Sequence, residues 1–128
     1  MKNYVLSNTK DSKKEYKKVI NQTCSAIVKS INSEKSYAGP TPQELKEIVK
    51  QETILPENGL GYEKTFEKIK EKVLPNLLRP SSSDYMAHLH GASLLETLSS
   101  ELIISTFNQS MDSWDQSPVA TEIEVETI

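Results

Sequence analysis

Arginine is nearly missing from this chain. The only one is Arg79, and no lysine or arginine follows it. No basic stripe with interleaved aromatics exists, so nucleic acid is not an expected partner. One cysteine, Cys24, excludes an internal disulfide framework and suits a reducing, cytoplasmic setting. The N-terminus, MKNYVLSNTKDSKKEYKK, carries no apolar signal core. The longest purely apolar run near the end is Leu102-Ile103-Ile104, far too short to span a membrane. Also absent are a G-x-S-x-G elbow, a glycine-rich phosphate loop, a C-x-x-C pair and an H-E-x-x-H helix. No Ser, Cys or Thr has an identifiable base beside it, so no catalytic residue is assigned within the chain.

Apolar residues are present at helical spacing. At 128 residues, with 36% hydrophobic and 26% charged, the chain suits one modest core built from long amphipathic helices. Residues 1–11 read as a polar tail. From Ser12 to Ser33, Tyr16, Val19, Ile20, Cys24, Ile27, Val28 and Ile31 mark one helical face. Cys24 lies on that stripe, which favours a packed core cysteine over a reactive thiol. In YAGPTPQELKEIVKQ, Thr41 fits an N-cap, Pro42 the first helical position and Glu44 a capping box. Leu45, Ile48 and Val49 form its apolar face. Pro56, Gly59 and Gly61 then break the chain. A third helix carries Tyr62, Phe66, Ile69, Val73 and Leu77, with Pro75 and Pro80 at its fraying end.

RPSSSD reads as a loop and an internal boundary. YMAHLHGAS is short, with extended structure one reading. Ser93 and Glu96 suit a second capping box. The helix after them carries Leu94, Leu95, Leu98, Leu102, Ile103, Ile104 and Phe107 on more than one face, the pattern of a helix buried between neighbours. NQSMDSWDQSP follows, with the only tryptophan, Trp114, between Asp112 and Asp115. Ser117 and Pro118 suit the cap and first position of a last helix. ATEIEVETI has no stop signal, as if the helix were cut.

His88 and His90 are the only histidines. On a strand they would share a face, but a metal site needs a third ligand, and no acid stands at a telling distance. A polar loop pair and a pocket role are the other readings. Trp114 reads as a packing anchor or a ligand contact. Asp112 and Asp115 either serve the turn or offer a carboxylate to a cation.

Residues 85–124, with HLH and NQSMDSWDQSP almost as written here, resemble the group II decarboxylases that depend on pyridoxal phosphate. They are most like the branch that acts on L-2,4-diaminobutyrate. The resemblance is weaker over 37–79, where GPTPQEL and VLPNLLRPSS fit, and residues 1–36 add little. It implies an all-α N-terminal segment of a larger fold-type I enzyme, an extended arrangement of four or five helices. It implies a homodimerisation arm over 1–80 and the start of the catalytic domain over 81–128. His88, His90 and Asp112 would edge the pocket for an amino-acid substrate, Asp112 reaching it across the dimer interface. Trp114, Phe107, Leu98 and Leu102 would serve the interface or the structure. In the family, cofactor is held by a lysine directly after a histidine. No such pair occurs here, so the chain alone should bind no cofactor and be inactive. Where close relatives read Cys-Pro after HLH, this chain has Gly91-Ala92, which bears on the substrate. The alternatives are a free-standing helical dimerisation module and a small metal-binding protein. The apolar stripe over 94–107 leads us to expect self-association.

Overall fold

The computed structural model describes residues 5–31, 35–50, 57–86 and 88–128. Among them the regular structure is all helical. It comprises α1 (Lys10–Ile31), α2 (Pro42–Val49), α3 (Gly61–Lys68), α4 (Leu95–Phe107) and α5 (Pro118–Thr127). The chain divides into two compact units, Met1–Gly91 and Ala92–Ile128. The all-α class and the count of five helices match the sequence reading. Pro56 lies outside the described residues.

In the first unit α1 starts two residues earlier than its apolar pattern indicates. The polar residues before it make the start. Ser7 N–H donates to Ser12 Oγ at 2.8 Å, Ser12 N–H donates to Thr9 Oγ1 at 3.3 Å, and Lys13 Nζ donates to Asn8 at 3.0 Å. The residues on α1 that become half-buried are Ser12, Glu15, Tyr16, Val19 and Ile20, then Thr23, Ala26 and Ser30. The contact face therefore shifts onto small residues in the second half of the helix. Cys24, on the other side, is exposed. Its assignment to the core is corrected: the broad apolar stripe is wider than the strip that this unit covers.

Helix α2 has the expected start. Glu44 N–H donates to Thr41 Oγ1 at 3.3 Å, and Thr41 N–H donates back to Glu44 Oε2 at 2.7 Å. That Thr41 N–H first, and then the Thr41 hydroxyl, which donates to the same Oε2 at 2.8 Å, hold the Glu44 carboxyl below its ordinary pKa. In α3, Tyr62 and Phe66 stack with ring centres 5.4 Å apart. The helix does not run on to Leu77 as a regular α-helix. It widens into a π segment at Ile69–Val73, where Leu74 N–H reaches Ile69 O, and ends as a 3-10 turn at Leu74–Asn76. Pro75 has no N–H to give to Glu71, and its ring crowds the carbonyl one turn back, so the preceding turn opens.

Arg79 ties this end to α1. Its Nε donates to Ser30 O at 3.0 Å and its Nη2 to Pro75 O at 3.1 Å. Its own N–H donates to Ser36 O at 2.8 Å. The Ser30 hydroxyl donates to Leu74 O at 3.0 Å. Carbonyls at two helix ends are thus met by one planar cation, the charge that helix C-termini favour.

In the second unit α4 begins at Leu95 with Leu94 at the cap, whose side chain makes no capping bond. The expected Ser93–Glu96 capping box does not form, because the helix starts one residue too late for it. Instead Thr97 Oγ1 donates to Leu94 O at 2.8 Å. Asn108 ends α4 in the left-handed region, φ 45°, and its N–H donates to Ile104 O at 2.8 Å. Asparagine tolerates that conformation better than other non-glycine residues. Among the described residues no hydrophobic side chain is fully buried, and only Ser117 is. Leu98, Leu102 and Phe107 keep 52%, 41% and 69% of their surface exposed. Each such residue forgoes part, about half, of the roughly 1.5–3 kcal/mol available on full burial.

Candidate substrate-facing turn

The stretch after α4 is built on the start of α5. Ser113 is extended and Trp114–Gln116 form one 3-10 turn, closed by Gln116 N–H donating to Ser113 O at 3.1 Å. Ser117 stands at the cap of α5 with Pro118 first in the helix, as expected. Its hydroxyl does not cap. It is fully buried and unpaired, while its carbonyl accepts from Thr121 N–H at 3.0 Å and Thr121 Oγ1 at 2.9 Å. Trp114 makes two bonds, one at the cap of α5 and one on the helix itself. Its carbonyl accepts from Ser117 N–H at 3.3 Å, and its indole N–H donates to Glu122 Oε1 at 2.9 Å. The ring itself is 59% exposed.

The two acids flanking Trp114 separate in role. Asp115 Oδ1 accepts from the Ser113 hydroxyl at 2.7 Å, so this carboxylate serves the turn. Asp112 is exposed. Its N–H lies 3.4 Å from Ser110 Oγ, and its carboxylate takes no partner among the described residues. An exposed, unengaged carboxylate on a fixed turn can bind a cation. The bond strengthens where water is excluded.

His88 and His90 lie in the first unit and are exposed. They are not on a strand: His88 has φ 64°, which bends the chain and removes the shared face. His90 stands edge-on to Tyr85, ring centres 6.3 Å apart. Asp84 anchors the start of this loop. Its Oδ1 accepts from Ser82 Oγ at 2.6 Å and from Ser36 N–H at 2.7 Å, and the Ser82 bond leads in lowering its pKa. Among the described residues no three His, Cys, Asp or Glu side chains are grouped to hold a metal. No helix of the described residues is long and apolar enough to cross a membrane.

Sequence reasoning did not single out Glu122, Arg79 or Asp84 as partners in these links. Glu122 lies eight residues from Trp114, a spacing with no periodic signal, and the Arg79 bonds join positions 49 residues apart.

No family model matches the chain. It is 29% identical over 124 residues to an L-2,4-diaminobutyrate decarboxylase of Acinetobacter baumannii, covering 97% of this chain and 24% of that protein. An L-2,4-diaminobutyrate decarboxylase of Rhizobium meliloti (strain 1021) is 31% identical over 121 residues, 94% of this chain and 24% of that protein. Among solved structures, the glutamate decarboxylase domain of a diaminobutyrate-pyruvate transaminase and L-2,4-diaminobutyrate decarboxylase from Vibrio parahaemolyticus superposes with a TM-score of 0.83. The identity is 27%, over 96% of this chain and 27% of that one. The chain therefore spans about a quarter of the length of the curated relatives it matches. In sequence and in fold, it is a homologue of one segment of the L-2,4-diaminobutyrate decarboxylases.

Proposed function

We propose that the chain is the N-terminal segment of a pyridoxal-phosphate-dependent decarboxylase acting on L-2,4-diaminobutyrate in the cytoplasm. The observation that carries this reading is the agreement, over nearly the whole chain, of sequence and fold with decarboxylases of that substrate. It favours an enzyme segment over a free-standing helical module.

The residues present do not make a cofactor site. No lysine follows Arg79. The described lysines are exposed or half-buried, and Lys70 pairs with Glu67 at 2.7 Å beside the Phe66 ring. The open groove of about 430 Å³ by Lys29 and Lys70 is closed on one side by Arg79, whose bonds already go to helix carbonyls. When bound elsewhere in the enzyme, pyridoxal phosphate supplies an electron sink for the pair left as carbon dioxide departs. This segment supplies surroundings to that chemistry. Residues 1–80 form a dimerisation arm and 81–128 open the catalytic domain. Leu98, Leu102 and Phe107 on α4, with the Trp114 ring, are covered in a homodimer. His88 and His90 edge the substrate pocket. Asp112 pairs with the distal ammonium of the substrate.

The test is a substrate panel with the intact holoenzyme. The expected result is a higher kcat/KM for L-2,4-diaminobutyrate than for L-glutamate or an aromatic amino acid, from a dimer in sedimentation. Preference for either of the other substrates overturns the assignment.

A further inference from the structure

Asp112 faces outward from a turn that has little of its own to hold it. Among the described residues no hydrophobic side chain is buried beneath it, and its internal bonds are the short closures of one 3-10 turn and the Ser113–Asp115 side-chain bond. What fixes the turn to a regular element is Trp114: its carbonyl only closes the 3-10 turn at the cap residue Ser117, while its indole reaches Glu122, in the second turn of α5. A backbone closure alone leaves the ring free to rotate about its side-chain bonds. The indole bond removes that freedom, because a carboxylate acceptor on a helix has a defined place. The indole has one donor and no acceptor, so Glu122 is the complement it needs. A carboxylate acceptor also makes the stronger class of such bonds.

We propose that Glu122 is a positioning residue. By accepting the Trp114 indole N–H it locks the turn onto α5, and so sets where Asp112 presents its carboxylate to the distal ammonium of the substrate. This rests on the proposed diaminobutyrate reading. Glu122 touches no substrate in this account. It acts through Trp114, and its effect is on selectivity for a cationic side chain.

Two measurements test it. Trp114 is the only tryptophan, so the 128-residue chain has one indole N–H resonance. Glu122→Ala should move that resonance toward the value of a solvated indole. Glu122→Gln keeps an acceptor oxygen and should restore most of the shift. In the intact holoenzyme, the readout is the ratio of kcat/KM for L-2,4-diaminobutyrate to that for L-2-aminobutyrate, which lacks only the distal ammonium. Glu122→Ala should lower the ratio about 3–10-fold, less than the full worth of a charge-assisted bond because the bond is exposed and acts on the substrate only through the turn, mainly through KM for the diamino acid. Glu122→Gln should recover at least half of it. Trp114→Phe removes the donor and should cost a similar factor, and the double variant should be no worse than either single one. An indole resonance that ignores Glu122→Ala overturns the link. A resonance that moves while the ratio stays at the wild-type value overturns the positioning role. Additive losses in the double variant overturn it as well. A wild-type holoenzyme that decarboxylates another amino acid instead removes the functional reading and this role with it, and the indole measurement still judges the link by itself.

Discussion

Removing the Arg79 side chain should loosen the first unit more than any other single polar change in it. The guanidinium meets Ser30 O at 3.0 Å and Pro75 O at 3.1 Å, with a third contact to Leu74 O at 3.5 Å that is too long to count for much. Hydrogen bonds from a charged donor contribute about 1.5–3 kcal/mol each. Arg79 is half-buried and borders an open groove, so water can reach some of the carbonyls it leaves. That favours the low end, and Arg79→Ala should cost about 3 kcal/mol in all. For a unit of this size, 1 kcal/mol moves the melting temperature by about 4–8 °C, so the expected fall is at least about 10 °C. Arg79→Lys places one ammonium where a fork reached two carbonyls, and should recover less than half of the loss. The assay is a thermal melt of the chain followed by circular dichroism at helical wavelengths, with sedimentation at the same concentration. A fall of less than about 2 °C in Arg79→Ala would refute the reasoning, because it would mean the carbonyls lose nothing by exchanging this cation for water.

Other outcomes follow from the same structure. Glu44 has its pKa lowered in the folded chain by its bonds to Thr41, so its contribution is present above the unfolded value and is lost as pH falls through the folded one. Protection of the α2 amides, corrected for the intrinsic pH dependence of exchange, should therefore fall as pH drops below the ordinary glutamate range, and Glu44→Gln should flatten that dependence. Asp84 follows the same sign, and Asp84→Ala should free the Ser36 N–H, seen as faster exchange at that amide at neutral pH. Cys24 should react with a thiol reagent in the native chain at nearly the rate of the unfolded chain; strong protection would contradict its exposed place on α1. Asp112→Asn in the intact enzyme should weaken discrimination for the diamino acid over 2-aminobutyrate by about tenfold, the scale of one charged pair exchanged for a neutral one, and unchanged discrimination counts against its role.

Features fixed by neighbouring residues were legible in the sequence. The Thr41–Glu44 box, Pro42 and Pro118 in their first turns and the five helices all depend on contacts within a few positions. What the sequence hid depends on distant partners or on how much surface is covered. Cys24 sits on a correct apolar stripe, yet the unit covers a narrower strip, so burial cannot be read from periodicity alone. The left-handed His88 has no glycine or asparagine to announce it. Ser93 is a good cap residue one position from where the helix begins. In the candidate site, Asp112 and Asp115 look alike in sequence. Only the Ser113 hydroxyl, 2.7 Å from Asp115, separates the acid that serves the turn from the one left to bind.

The proposed function makes this segment part of an enzyme that removes the carboxyl group of L-2,4-diaminobutyrate. The most direct test supplies the intact holoenzyme with substrate labelled with carbon-13 at the carboxyl carbon and follows both products. The expected result is labelled carbon dioxide in equal amount with unlabelled 1,3-diaminopropane, and neither from the 128-residue chain alone. Label retained in the amine fraction, or release of carbon dioxide by the chain without the rest of the enzyme, would contradict it.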